Sequence, residues 1–200
     1  MQVIVLYETN QQAFIDTINK AKEVYSASVG IGKEELISDG NWNVPLTHDY
    51  PANYVVLPLK LAVAAPYYQG PEVSQVEKDF IKYLESKDVE IEWWYKNGEN
   101  DTQHFAVPYD DKGTPKSFYI DWIVKYKDGK IGLFDTKSGI TADIAKSKAE
   151  GLFQYIKQQN SLGKTLFGGI VIPHNGSWRL NDKEIYEYNK HNLKDWGYLS

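Results

Sequence analysis

The chain contains no cysteine, which excludes disulfides, zinc–thiolate centres and thiol nucleophiles, and fits a reducing compartment such as the cytoplasm. It also lacks any apolar run of about 18 residues, so no membrane span is expected. The opening Met1-Gln2-Val3-Ile4-Val5-Leu6 has no basic flank and runs directly into Glu8-Thr9-Asn10, unlike a signal peptide. His48, His104, His174 and His191 show no metal-ligand spacing, and no Ser-His-Asp set stands out. Gly163-Lys164-Thr165 is not a phosphate loop. Gln158 occupies the place of the first glycine, and the tripeptide falls between a helix and a strand, the reverse of the required context.

What is present supports a packed core. With 200 residues, 42% apolar and 14% aromatic, the chain is long enough for one sizeable domain or a compact domain with an extension. A net charge of -5 does not announce a polyanion binder. The charge is unevenly spread, however. Between residues 112 and 157 there are nine lysines and five acids, and Asp121 and Asp135 among those acids are candidate metal ligands. Lys116, Lys146 and Lys148 are therefore candidate phosphate contacts; the plain alternative is a lysine-decorated surface.

The hydropathy pattern predicts a strand over residues 1–7 and a helix over 10–24. A loop over 26–53 and a β-prone run from Tyr54 to Ala65 follow. Tyr67-Tyr68-Gln69-Gly70-Pro71 reads as a boundary, dividing an N-terminal α/β extension (1–70) from the main domain (71–200). Beyond it the spacing predicts a helix over 72–87, strands over 89–96, 103–108, 117–126 and 130–137, a helix from an N-cap at Thr141 to about Gln159, and a buried strand from Leu166 to Pro173. The order α-β-β-β-β-α-β describes an α/β domain with a mixed sheet flanked by helices.

Three acids and a lysine carry the chemistry. Asp121 interrupts an apolar strand, Phe-Tyr-Ile-Asp-Trp-Ile-Val, and Asp135 and Lys137 project to one face of Gly-Leu-Phe-Asp-Thr-Lys-Ser-Gly. Whether Asp121 joins them depends on the turn. A two-residue Asp-Gly loop pairs Lys127 with Lys130 and leaves Asp121 facing Thr136. A three-residue Lys-Asp-Gly loop, with Gly129 left-handed in a G1 bulge, pairs Tyr126 with Lys130 and sets Asp121 opposite Asp135. We expect the second. Adjacent carboxylates repel, and a hard divalent cation such as Mg²⁺, with Mn²⁺ as a substitute, would relieve them. Glu77 falls within the stripe Val73, Val76, Phe80, Ile81 and Leu84 of the first helix, where a carboxylate needs a partner. Lys148 lies similarly among Ile144, Leu152, Tyr155 and Ile156 of the second; a snorkelling lysine is the alternative there.

These features, with Val-Glu-Ile-Glu-Trp-Trp-Tyr-Lys-Asn and Phe-Ala-Val-Pro-Tyr between them, resemble the C-terminal PD-(D/E)XK endonuclease domain of the Res subunit of type III restriction enzymes. The resemblance covers roughly residues 72–172. It implies a restriction-endonuclease-like fold and Mg²⁺-dependent hydrolysis of DNA. Asp121 matches the first acid, with Ile120 in place of the usual proline. Asp135 matches the second, Lys137 the motif lysine and Glu77 the helix acid. Asp121, Asp135 and the Thr136 carbonyl would hold the ion, assisted by Glu77 directly or through water, while Lys137 positions the attacking water. Implied partners are double-stranded DNA, a helicase in cis or in trans, and a methyltransferase or specificity subunit. The alternatives are another nuclease on the same fold, such as a RecB-like exonuclease or junction resolvase, or a DNA-binding module without turnover.

Overall fold

The computed structural model describes residues 16–21, 42–45, 48–86, 89–98 and 104–199. The expected strand over 1–7 and most of the expected loop over 26–53 lie outside these residues; of the first expected helix, residues 16–21 are helical. The chain separates into one unit of residues 1–39 and a second of residues 40–200. The expected boundary at residues 67–71 thus falls inside the second unit.

Within that unit, β1 (Val55–Leu57) and β2 (Tyr67–Gln69) form a small antiparallel sheet. Between them, Leu61 accepts a backbone hydrogen bond from Trp94 and Val63 donates one back to Trp94. Tyr67 enters the core edge-on to the Trp94 ring, at 5.2 Å between centroids. The β-prone run expected over 54–65 is therefore a strand of three residues followed by an irregular ribbon that pairs with the main domain.

Helix α1 (Gln75–Leu84) begins at Ser74, which closes a capping box with Glu77. Its apolar stripe buries Phe80, Ile81 and Leu84. At its C-terminal end Glu85 accepts from the amides of Lys60 and Leu61 and from the Trp94 indole, which pins the ribbon and the segment around Trp94 to the helix.

Strands β3 (Ile91–Lys96), β6 (Trp122–Tyr126), β7 (Ile131–Thr136), β8 (Leu166–His174), β9 (Ser177–Asn181) and β10 (Gly197–Tyr198) form one six-stranded sheet, ordered β10-β9-β8-β7-β6-β3. All neighbours are antiparallel except β7 and β8, which run parallel. Parallel strands need a crossover, supplied here by helices α2 (Ile140–Asp143) and α3 (Lys146–Ser161). Gly168 of β8 has φ +143°, a conformation in which a Cβ would sit 1.9 Å from the Leu133 carbonyl oxygen, so only glycine fits there. A separate hairpin, β4 (Ala106–Asp111) and β5 (Thr114–Tyr119), packs on α3. Gly151 permits this, since a Cβ there would meet Tyr109 Cβ at 2.4 Å.

Four expectations need correction. The strand read as 117–126 is two strands belonging to different sheets, parted at Ile120-Asp121. The helix read as 141–159 is broken at Ile144-Ala145. Thr141 is not its N-cap: Gly139 is, and the Thr141 hydroxyl bonds back to Ser138 instead. Ile144 is exposed rather than sharing the buried face of α3 with Leu152. β9 and β10 were not expected at all, because their short segments carry no clean alternation.

Candidate active site

The β6–β7 hairpin turns through a three-residue loop. Tyr126 donates to the Lys130 carbonyl, Gly129 donates back to Tyr126, and Gly129 has φ +92°. The ladder pairs Trp122 with Phe134 and Ile123 with Leu133. Continued by one step, that register sets Asp121 across from Asp135, as the Lys-Asp-Gly loop predicts.

Asp121 sits at the kink where β5 gives way to β6, and its backbone is held by Asn97. The Asn97 amide donates to the Asp121 carbonyl. Its buried side chain donates to the Phe105 and Ile120 carbonyls and accepts from the Phe105 amide. With both side-chain N–H groups donating and the oxygen accepting, this asparagine ties the end of β3 to Phe105, just before β4, and to the Ile120-Asp121 junction.

The side chains converge at this end of the sheet. Asp121 Oδ2 accepts from the Thr136 amide at 2.8 Å and the Thr136 hydroxyl at 2.7 Å. Asp121 Oδ1 lies 3.1 Å from Lys96 Nζ, and the same ammonium lies 2.8 Å from Glu77 Oε1. The other Glu77 oxygen is occupied by the Ser74 amide of the capping box. Lys96 Nζ also sits over the Trp122 ring, 5.0 Å from its centroid. Lys137 Nζ lies 2.5 Å from Asp135 Oδ2. That contact is an ion pair in which the buried Oδ2 meets the ammonium.

The electrostatics divide the two aspartates. Burial opposes ionisation of Asp121, but Lys96, Lys137 and the Thr136 hydrogen bonds outweigh it and hold its carboxyl below the usual range. Asp135 is 1% exposed. Burial, reinforced by the Asp121 charge, raises its carboxyl to about 7 despite Lys137. Burial would likewise raise Glu77, yet Lys96 and the Ser74 bonds bring it below its ordinary value. Lys96 and Lys137 are both pushed up: burial disfavours their charge, but the facing carboxylates more than compensate.

Glu77, Asp121, Asp135, Thr136 and Lys137 are thus brought together, Glu77 through Lys96. Lys148 joins at the margin, its ammonium 5.1 Å from the Phe118 ring centre and its charge felt by Asp135. Lys116 and Lys146 do not: Lys116 pairs with Asp111 on the β4–β5 hairpin, and Lys146 lies 3.8 Å from Glu150 on α3. Lys127, Lys130 and Lys157 are likewise opposed by Glu90, Asp128 and Glu184. The lysine excess read from the sequence is therefore largely balanced by acids nearby. Sequence reasoning missed Lys96 and Asn97. The available signal was the alternation of β3, which places Lys96 on the same face as buried Trp94, where a lysine needs anionic company.

Among the described residues, no group of three or more histidine, cysteine or carboxylate side chains gathers closely enough to hold an ion by itself, and no helix is long and apolar enough to cross a membrane. A model of the YagJ family matches residues 65–172, more than half of the chain, and the chain belongs to that family. The matched segment contains every residue of the cluster. No curated protein and no solved structure matches the chain.

Proposed function

We propose that this member of the YagJ family is a divalent-metal-dependent nuclease that hydrolyses DNA phosphodiesters on a restriction-endonuclease-like core. The observation that carries the reading is the pair of carboxyl groups at Asp121 and Asp135: Asp135 is buried beside a second carboxylate, with Lys137 against it. Burying one carboxyl group beside another opposes ionisation of both, and Lys137 offsets only part of that at Asp135. A chain that only needed a stable core would lose nothing by replacing it. A hard cation would take both carboxylates as ligands and cancel their repulsion. The order α1-β3-β6-β7-α3-β8, antiparallel through β7 and then parallel, supports the core assignment, as does the sequence resemblance to type III Res endonuclease domains.

The residues present fit Mg²⁺, or Mn²⁺ as a substitute, with Asp121 and Asp135 as the carboxylate ligands and the Thr136 carbonyl as a further oxygen. When bound, the ion supplies Lewis-acid activation of water and neutralises charge on the scissile phosphate. Thr136 fixes the Asp121 rotamer through its amide and hydroxyl. Lys137, already against Asp135, holds the attacking water and counters negative charge as it builds on the phosphate. Lys148, on the first turns of α3, takes a neighbouring phosphate of the strand. Helicase and methyltransferase subunits are the partners that the type III resemblance suggests, with double-stranded DNA as substrate.

The test is cleavage of supercoiled, linear and branched DNA by the full chain in Mg²⁺, Mn²⁺ or Ca²⁺, with and without ATP and a helicase partner. Wild type should cut in Mg²⁺ and Mn²⁺, whereas folded Asp121→Ala and Asp135→Ala should not. End-dependent or junction-dependent products would point to an exonuclease or a resolvase. Binding without cleavage under every condition would overturn the enzyme reading in favour of a binding module.

A further inference from the structure

We propose that Lys96 is the resident second cation of this site: its ammonium fills the position between Glu77 and Asp121 that a second divalent ion would need, so the site takes one ion per chain. The inference rests on the metal-site reading above. Two-ion phosphodiesterase sites hold their cations about 3.5–4 Å apart across a shared carboxylate. Asp121 is the carboxylate so placed, with Asp135 across the hairpin on one side and Glu77 of α1 on the other. The Glu77 side is already taken, with Lys96 Nζ 2.8 Å from Glu77 Oε1 and 3.1 Å from Asp121 Oδ1.

The lone pairs tell the same story. A carboxylate offers about four acceptor positions. Asp121 gives one to Lys96 and two to Thr136, which leaves one for an ion. Glu77 gives one oxygen to Lys96 and the other to the Ser74 amide. Because that second bond belongs to the capping box, Glu77 cannot swing towards Asp135 without opening the first turn of α1. Asp135 is paired with a different cation, Lys137. Lys96 is not a passing surface lysine. Its side chain is 15% exposed, and the Trp122 ring closes one flank. An ammonium also carries one charge where a second ion would carry two, so the cluster holds less positive charge with Lys96 and one divalent ion than it would with two ions.

The experiment is Mn²⁺ titration of the full chain, followed by calorimetry and electron paramagnetic resonance, for wild type, Lys96→Met, Lys96→Met with Glu77→Gln, and Asp135→Asn. Thermal unfolding is measured with and without Mn²⁺. Wild type should bind one Mn²⁺, weakened tenfold or more by Asp135→Asn. Lys96→Met should bind two, with spectra showing coupling between the ions, and the extra one should disappear when Glu77→Gln is added. Mn²⁺ should also raise the melting temperature of Lys96→Met more than that of wild type. One ion in wild type and still one in folded Lys96→Met would overturn the role of Lys96 while leaving the metal site standing. Two ions in wild type would overturn it even if Lys96→Met fails to fold. No Mn²⁺ in wild type would remove the metal reading and this inference with it.

Discussion

Two places in the second unit bury cationic side chains, and they solve the problem differently. At the C-terminal edge of the sheet, Arg179 of β9 is buried without a carboxylate. Its guanidinium donates to the Leu193 and Trp196 carbonyls, and the Tyr198 ring covers it at 4.0 Å. The acceptors are neutral backbone oxygens, and their function is to hold the irregular segment before β10 onto the sheet. Nε has no partner, but this is one donor of five on a delocalised cation. At the other end, Lys96 and Lys137 face three carboxyl groups, two of which, Asp121 and Asp135, lie beside each other. A structural cation is surrounded by acceptors sufficient to hold it. The Asp121–Asp135 cluster instead keeps two like-charged groups side by side in a buried place, and a structure selected for stability alone has no use for that.

Substitutions that separate activity from stability sharpen this contrast. The largest effect should come from Lys137→Ala, which removes a charge whose main use is in the transition state. DNA hydrolysis should fall by two or more orders of magnitude, on the order of 3 kcal/mol, while DNA binding measured in Ca²⁺ changes far less. Single-turnover cleavage beside equilibrium binding checks it; equal losses in both would make Lys137 a binding residue. Arg179→Met should do the converse. It strips hydrogen bonds from two carbonyls and should cost about 2–3 kcal/mol of stability in urea unfolding, with metal affinity unchanged in the fraction that remains folded. A loss of Mn²⁺ affinity without a loss of stability would break the comparison.

Asp135 supplies a smaller effect with a definite sign. Its carboxyl is raised from the ordinary value of 3.8 to about 7. Between those values the native metal-free protein keeps a proton that the unfolded chain has released. Stability therefore falls as pH rises through that window and levels off above about 7. Asp135→Asn should flatten this slope and stabilise the metal-free protein at pH 8, by on the order of 2 kcal/mol. Mn²⁺ should reverse the order by stabilising only the wild type. Urea unfolding at pH 5 and pH 8, with and without Mn²⁺, decides it; a steeper slope in the variant would contradict the burial argument.

Much of this arrangement was legible in the sequence where one rule governs a local contact. The Lys-Asp-Gly loop sets the hairpin register, the strand period puts Lys137 beside Asp135, and the helical wheel shows Glu77 against the core. What escaped was decided by contacts distant in sequence. Lys96 meets Glu77 and Asp121 across 19 and 25 positions. The break at Ile120-Asp121 depends on Asn97 capturing the chain from another strand. Asp121 is the one strand-disfavouring residue between Phe118 and Trp122, and a single such residue does not show that the chain leaves one sheet for another there. The α2–α3 interruption is similar: the segment is locally helix-compatible, and neither Ile144 nor Ala145 is a helix breaker by type.

The smallest expected effect is at the turn that sets the register. Gly129 adopts φ +92°, and a Cβ there would meet nothing within 4 Å, so the cost of Gly129→Ala is backbone strain alone, about 1 kcal/mol. The register should survive, because it is pinned at the far end by the Thr136 amide and hydroxyl on Asp121 and along its length by the β3 and β8 ladders. A one-residue slip would turn every buried side chain of the hairpin outward, a far larger loss than the strain. Gly129→Ala should therefore lower the urea midpoint slightly while leaving Mn²⁺ affinity and single-turnover cleavage within about twofold of wild type, which is under 0.5 kcal/mol. If the variant keeps most of its stability yet loses Mn²⁺ binding, the turn itself, rather than the contacts at Asp121, aligns the two aspartates.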